Sequence, residues 1–349
     1  MRVAVTGAAG FVGVNLVERL LGAGHEVTAV DRQAVDTSGA NLGGATGVGG
    51  DATDDRLRIV VADVMDPAQM RAAVSGAEVV FHLAAKITLK REDPQAWELN
   101  TRGVATVAQA CLDESVRRLV HCSSVHSFDE HRCGQVMTES SPRSVADDLP
   151  VYDRSKYAGE RELLAVVERG LDSVICNPTG IFGPKDPPGR ISRLNAMVLD
   201  GALGRAPASV AGSFDLVDVR DVVDGLILAA EHGRTGENYL MPGEMVTMHD
   251  LLTVAARTAG RRAPLVAVPL GVVKGILPMA EPIGAAFGSD VMSASAIEHL
   301  LASPCVDGGK ARAGLGYAPR PFTDTVRDLV AYFVQAGILA ERGRSLVRT

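Results

Sequence analysis

The chain has no run of basic residues. Its 35 Lys and Arg are scattered among 42 Asp and Glu, for a net charge of -7 at pH 7, so a row of phosphates would go unneutralised and nucleic acid is not an expected partner. Cysteine is sparse too: Cys111, Cys122, Cys133, Cys176 and Cys305 are odd in number, widely spaced and never paired as C-x-x-C. That pattern fits a reduced, cytoplasmic setting without structural zinc, and no metal site is expected. Long apolar runs are also missing. The most apolar stretch, residues 264–279, is broken by Pro269, Lys274 and Pro278 and followed by Glu281, so no membrane span is expected. No charged-then-apolar leader is visible at Met1, where a strand begins at once, and a signal peptide is not expected. What the chain does have is 46% hydrophobic residues over 349 positions. At roughly 150 residues per domain, that length suits one large α/β domain with an appended lobe.

Short apolar runs of strand type recur at residues 3–5, 26–30, 57–62, 79–83, 119–123 and 173–177. Helical patterns lie between most of them, at 11–21, 67–74, 100–114 and 152–168. This β-α-β alternation predicts a doubly wound parallel sheet covered on both sides, with its ligand crevice at the carboxyl ends of the strands. Residues 34–57 carry six glycines and no helical periodicity, and read as a loop. Beyond about residue 178 the pattern loosens. Strand-like pieces at 214–219 and 238–241 stand alone there, in what is expected to be a smaller substrate-facing lobe. The division expected is 1–177 and 178–349, with about 210–232 returning to the first part.

Gly7, Gly10 and Gly13, with Phe11 and Val12 between them, follow the first strand and open the first helix. Glycines there let the backbone turn tightly and approach a pyrophosphate, while the helix N-terminus offers N–H donors. Asp31 ends the second strand, where a carboxylate would meet the adenine ribose hydroxyls and repel a 2′-phosphate. The reading is therefore NAD, with Arg32 beside it leaving NADP open. Asp63 and Val64 end the third strand and are placed at the adenine edge, the alternative for Asp63 being a helix N-cap. Leu83, Ala84 and Ala85 follow the fourth strand and let backbone pass close to the cofactor, while His82 reads as a hydrogen-bonded strand-end residue.

Tyr152 and Lys156 are four apart, hence on one helical face. A neighbouring ammonium favours the phenolate, so the phenol could exchange a proton with substrate near neutral pH. Ser123 and Ser124 end a strand at the same edge of the sheet, where a hydroxyl could hold a substrate oxygen.

Together with Asn100-Thr101-Arg102-Gly103 and Asn177-Pro178-Thr179-Gly180-Ile181-Phe182-Gly183-Pro184, these residues resemble the extended short-chain dehydrogenases/reductases, the NAD-dependent epimerase/dehydratase group. The resemblance implies a Rossmann-like fold and a Ser124–Tyr152–Lys156 triad, Lys156 also holding the nicotinamide ribose and Pro178 lying near the nicotinamide. It also implies a homodimer paired through helices 100–114 and 152–168.

Departures from the family pattern narrow the chemistry. Dehydratases resemble one another in a Thr-Asp-Glu run where this chain has Ser124-Val125-His126, so dehydration is not expected. Phe214 stands where epimerases commonly place an Arg for a substrate phosphate, which suits an uncharged substrate. Asn177-Pro178 is similar to the dihydroflavonol reductase branch, and the apolar segment 265–287 to hydroxysteroid dehydrogenase relatives. The expectation is hydride transfer between nicotinamide and a hydroxyl or carbonyl of a fairly apolar small molecule, with His126 and Asn177 touching substrate beside Ser124. A nucleotide-sugar epimerase with tightly bound NAD is the alternative, since Asn177 also resembles an epimerase residue. A non-catalytic NAD(P)-sensing regulator is less expected, because such proteins tend to lose the Tyr/Lys pair. Asp218 and Asp221 are expected to cap helix 222–231, and residues 307–319 to close the lobe.

Overall fold

A computed structural model describes residues 1–33, 54–187, 189, 191–269, 271–272 and 303–340. The glycine-rich stretch 34–57 and the apolar segment 265–287 lie largely outside the described residues. The chain begins with β1 (Arg2–Thr6), α1 (Phe11–Gly22), β2 (Glu26–Asp31), β3 (Leu57–Val61), α2 (Pro67–Val74) and β4 (Val79–His82). It continues through α3 (Pro94–Asp113), β5 (Arg118–Cys122), β6 (Val136–Met137), α4 (Val151–Val167) and β7 (Ser173–Pro178). Then come β8 (Gly180–Phe182), α5 (Arg193–Leu203), β9 (Ser209–Val210), β10 (Ser213–Asp218), α6 (Val219–His232) and β11 (Asn238–Met241). The last described elements are β12 (Glu244–Thr247), α7 (Met248–Thr258), β13 (Ala267–Val268), β14 (Cys305–Val306), α8 (Gly309–Leu315) and α9 (Phe322–Gln335).

Seven strands form one parallel sheet in the order β11-β7-β5-β4-β1-β2-β3. Because strand side chains alternate, each strand feeds two cores. On one face Val5, Val27, Phe81 and Val174 meet Leu16 and Leu20 of α1 and Val222 and Leu226 of α6. On the other, Ala4, Val30, Val80, Leu119 and Ile175 meet Met70 of α2, Val104 and Val107 of α3 and Leu163 of α4. The strand order reverses between β1 and β4, which opens a crevice at their carboxyl ends.

Several local expectations shift. Strand 238–241 does not stand alone: β11 pairs with β7 and forms the edge of the main sheet. Helix α3 starts at Pro94, almost two turns before residue 100, because Asp93 caps it by accepting from the Ala96 N–H and proline suits the first helical position. Asp66, not Asp63, caps α2, while Asp63 accepts from the Met65 N–H in a tight turn. Asp218 caps α6, but Asp221 lies inside its first turn and accepts from the Arg320 guanidinium and backbone N–H. Segment 307–319 does not close the lobe. Its Ala311, Leu315 and Tyr317 join the core on the α1/α6 face, and the Tyr317 hydroxyl donates to the Pro242 carbonyl.

The smaller unit gathers β8, β10 and β12 into a sheet, covered by α5, α7 and α9. Phe182, Val198, Leu216, Leu251, Leu329 and Phe333 fill its core, and partly buried Phe214 packs against it. No helix among the described residues is long and apolar enough to cross a membrane.

Candidate active site

The glycine turn lies at the crevice, between β1 and α1. Gly7 has φ +77, and a Cβ there would come within 2.6 Å of the Ala84 amide nitrogen, so β1 and the segment after β4 touch backbone to backbone. At Gly13 a Cβ would sit 2.2 Å from the Gly7 carbonyl oxygen, which is why α1 can seat directly on the turn. Gly10 is the N-cap of α1 and offers no side chain to its first N–H groups, and no acidic residue occupies the first turn. The positive end of the helix dipole therefore faces the crevice without a counter-charge in its own first turn. Phe11 and Val12 are half-buried beside it.

Asp31, at the end of β2, accepts from the Ala9 N–H at 3.1 Å and from the Gln33 N–H at 3.1 Å, which ties the turn to the next strand; Arg32 is exposed beside it. A carboxylate oxygen can accept more than one hydrogen bond, so room remains for ribose hydroxyls. Leu83, Ala84 and Ala85 are half-buried after β4 and Asp63 is exposed after β3. Val64 is instead buried in the α2–α4 core. Open helix terminus, small residues and terminal carboxylate together fit the pyrophosphate and adenosine half of a dinucleotide.

On the other side of β1, the end of β5 carries the serines. The Ser123 hydroxyl is committed inward, donating to Glu160 Oε1 at 2.5 Å. Ser124 heads a single 3₁₀ turn, where its Oγ accepts from the His126 N–H, and its hydroxyl faces the Tyr152 phenol. Tyr152 and Lys156 come from the first turns of α4, as their spacing predicts. Lys156 Nζ donates to the Cys122 carbonyl at 3.0 Å. The expected depression of the phenol does not hold in this state: burial pushes Tyr152 up, and the Ser124 hydroxyl pulls it partly back. Lys156 moves the other way, pushed down to about 8 by burial.

Beneath the triad lies a layer that sequence reasoning missed. Glu160, fully buried on α4, accepts from Ser123, Asn177 and Asn238 and pairs with Arg143. The Arg143 guanidinium also stacks 3.9 Å over Phe128 and 4.8 Å over Tyr157, and burial lowers its pKa to about 10. Asn177, expected against substrate, is fully buried in this layer. Its amide donates to the Ser124 carbonyl at 2.9 Å, Ser127 Oγ at 3.0 Å and Glu160 at 2.7 Å, and its oxygen accepts from Asn238. It therefore fixes the turn that carries Ser124. Pro178 ends β7 and is buried.

His82 is a strand-end residue bonded to Thr6 Oγ1 at 2.7 Å. It stacks on His121 with ring centroids 5.3 Å apart, and burial together with the Lys156 charge pushes His82 down to about 3 and His121 well down, so the pair stays neutral. His126 stands at the cleft: its ring meets Tyr152 edge-on with centroids 5.6 Å apart, and its Nδ1 lies 3.5 Å from both Glu130 Oε1 and Asp153 Oδ1. Among the described residues no three His, Cys, Asp or Glu gather as metal ligands would.

Known proteins resemble this chain over most of its length. Sterol demethylase protein B of Methylococcus capsulatus is 31% identical over 343 residues, covering 97% of this chain and all of that protein. UDP-glucose 4-epimerase of Mycolicibacterium smegmatis is 30% identical over 276 residues, covering 74% of this chain and 83% of its own. Among solved structures, gox2253 superposes with a TM-score of 0.78 at 31% identity, covering 96% of this chain and 98% of that one. Residues 3–241 match the NAD dependent epimerase/dehydratase family, and the chain belongs to that family of enzymes.

Proposed function

We propose that the protein is an NAD-dependent oxidoreductase that interconverts a hydroxyl and a carbonyl on a fairly apolar small molecule. The observation that carries this reading is the convergence of Ser124, Tyr152 and Lys156 at the strand ends beside the glycine turn. NAD, when bound, supplies or accepts the hydride. Gly7, Gly10 and Gly13 would let its pyrophosphate approach α1, Asp31 would take the ribose hydroxyls, and Pro178 would lie near the nicotinamide. Tyr152 passes its proton to, or takes one from, the substrate oxygen, which Ser124 holds by a hydrogen bond. Lys156 holds its ammonium in the same buried site, one helical turn from Tyr152. Phe214 in place of a phosphate-binding arginine, and the similarity to a sterol-related protein, support an uncharged substrate.

The test is to release and identify nucleotide from the purified protein by mass spectrometry, and to titrate NAD and NADP separately. Exchangeable micromolar binding supports the dehydrogenase/reductase. Tightly retained NAD favours an epimerase, the second reading, which rests on the similarity to a UDP-glucose epimerase. NADP preference would assign the selectivity to Arg32 rather than Asp31. A cytoplasmic homodimer joined through the outer faces of α3 and α4 belongs to the same reading. Light scattering on the intact protein checks the pairing.

A further inference from the structure

The hydride reaction leaves two buried histidines without a task. His82 ends β4, and His121, one residue before the end of β5, is its partner in the sheet register. Side chains alternate along a strand, so both rings point to the face that carries Val80 and Leu119, which α3 and α4 cover. The rings stack with centroids 5.3 Å apart and planes 21° apart, at 0% and 1% exposure. Thr6 Oγ1 meets His82 Nδ1 at 2.7 Å and anchors the stack to β1. The other three ring nitrogens, His82 Nε2 and both of His121, are buried and have no hydrogen-bond partner among the described residues. A neutral imidazole carries one donor and one acceptor, and neither is left unpaired in an aliphatic layer without cost.

Lys156 reaches this layer from α4. It stands about two turns before Leu163, which belongs to the same core, and its charge acts on both rings. Its Nζ is held at 3.0 Å by the carbonyl of Cys122, the residue after His121. An ammonium has three protons. Cys122 takes one, and on the oxidoreductase reading a cofactor ribose takes a second. The third has no acceptor among the described residues.

We infer that an internal water joins a ring nitrogen of His121 to Lys156 Nζ, and that the stacked histidine pair is a positioning device for the ammonium. His121 supplies the acceptor. His82, fixed by Thr6, holds the His121 ring by its face. Two imidazoles and an ammonium give the water the polar partners that a buried water needs. No bond is made or broken in the protein and no co-reactant is used: the pair keeps the cation in place and favours its charged form. The titratable groups that act on Lys156 from the strands beneath are the Cys122 thiol and His121 of β5 and His82 of β4, and Tyr152 lies one turn away on its own helix. The inference rests on the oxidoreductase reading for what Lys156 does with a bound cofactor, and not for the water or the hold on the ammonium.

Carbon-13 at lysine Cε, with Lys156 assigned by its loss in Lys156→Met, follows the titration in the intact protein. His121→Phe keeps a ring and removes both nitrogens. The acid dissociation constant of Lys156 is expected to rise about tenfold or more, the worth of a hydrogen bond to a charged group. His121→Gln keeps a donor and an acceptor and is expected to stay within about threefold of the wild type. An unshifted Phe variant, or a Gln variant that moves as far as the Phe variant, overturns the inference. A measurement on the wild type covers the case in which a variant fails to fold. Nitrogen-15 spectra, with His121 assigned by its loss in His121→Gln, are expected to place its unprotonated nitrogen at the shift of a hydrogen-bonded acceptor, and the shift of a free one overturns the inference. Failure of the wild type to bind NAD would count against the oxidoreductase reading alone and leave both measurements standing.

Discussion

Lys156 and Cys122 are joined by a hydrogen bond in which the ammonium donates to the carbonyl at 3.0 Å. The contact pins the face of α4 that carries Tyr152 and Lys156 to the last residue of β5, one peptide before the serines. It also keeps a cation in a site with 3% exposure, where burial brings its pKa down to about 8.

That burial has a sign that can be measured. An unfolded lysine holds its proton to about pH 10.4, whereas folded Lys156 releases it near 8, so between those values the unfolded chain binds more protons and stability rises with pH. Relative to Lys156→Met, the wild type is expected to gain on the order of 2 kcal/mol from pH 8 to pH 10. Urea unfolding of both proteins across that range reads the difference, and a flat one would remove burial as the cause.

Tyr152→Phe removes the proton that Ser124 and the substrate oxygen share, and turnover is expected to fall by roughly 10²-fold or more. Binding of NAD, followed by calorimetry, is expected to stay within about threefold, since the glycine turn and Asp31 are untouched. Loss of both together would indicate that Tyr152 is structural.

Glu160 and Arg143 form a buried ion pair under the Ser124 turn. Arg143→Met leaves the carboxylate without its cation and is expected to cost about 3–5 kcal/mol in urea unfolding. The double variant Arg143→Met/Glu160→Gln is expected to recover part of that loss, because the stranded charge is gone. Equal losses in single and double variants would contradict the pairing.

Gly159 lets α4 lie directly on α3: a Cβ there would sit 2.1 Å from the Asn100 carbonyl oxygen. Gly159→Ala is expected to cost about 2 kcal/mol or more. It is also expected to lower turnover, since Asn100 donates to Ser155 at 3.0 Å, between Tyr152 and the proposed partner Lys156 in the chain. Thermal unfolding at the wild-type midpoint would show no change if the helices can part freely.

Asp31→Ser removes the carboxylate proposed to meet the adenine ribose. NAD affinity is expected to drop about tenfold while NADP affinity rises, as Arg32 then faces a 2′-phosphate without a neighbouring carboxylate. Parallel titrations check it, and an unchanged NAD/NADP ratio would move selectivity elsewhere.

What the sequence discloses here follows from how local each signal is. The strands of the main sheet are contiguous apolar runs, and the glycine turn and Tyr/Lys spacing are short-range patterns, so all could be read without coordinates. The early start of α3 was hidden because its first turns, around Trp97, carry polar residues and only the Asp93-Pro94 pair marks the boundary. The place of β11 was hidden because its partner, β7, is more than sixty residues away, and four residues of strand say nothing about what they pair with. Glu160 escaped notice for a related reason: on α4 it reads as one more helical carboxylate, and its partners come from β5, β7, β11 and the Arg143 loop. The raised phenol of Tyr152 depends on burial, which spacing alone does not report.

The position of β11 has a consequence for the order in which the protein is made. The edge of the seven-stranded sheet is laid down only after β8, α5, β10 and α6 have been synthesised. Until residue 241 leaves the ribosome, β7 presents an unpaired row of backbone donors and acceptors along its outer edge. A chain released before that point would therefore expose a strand edge prone to aggregation.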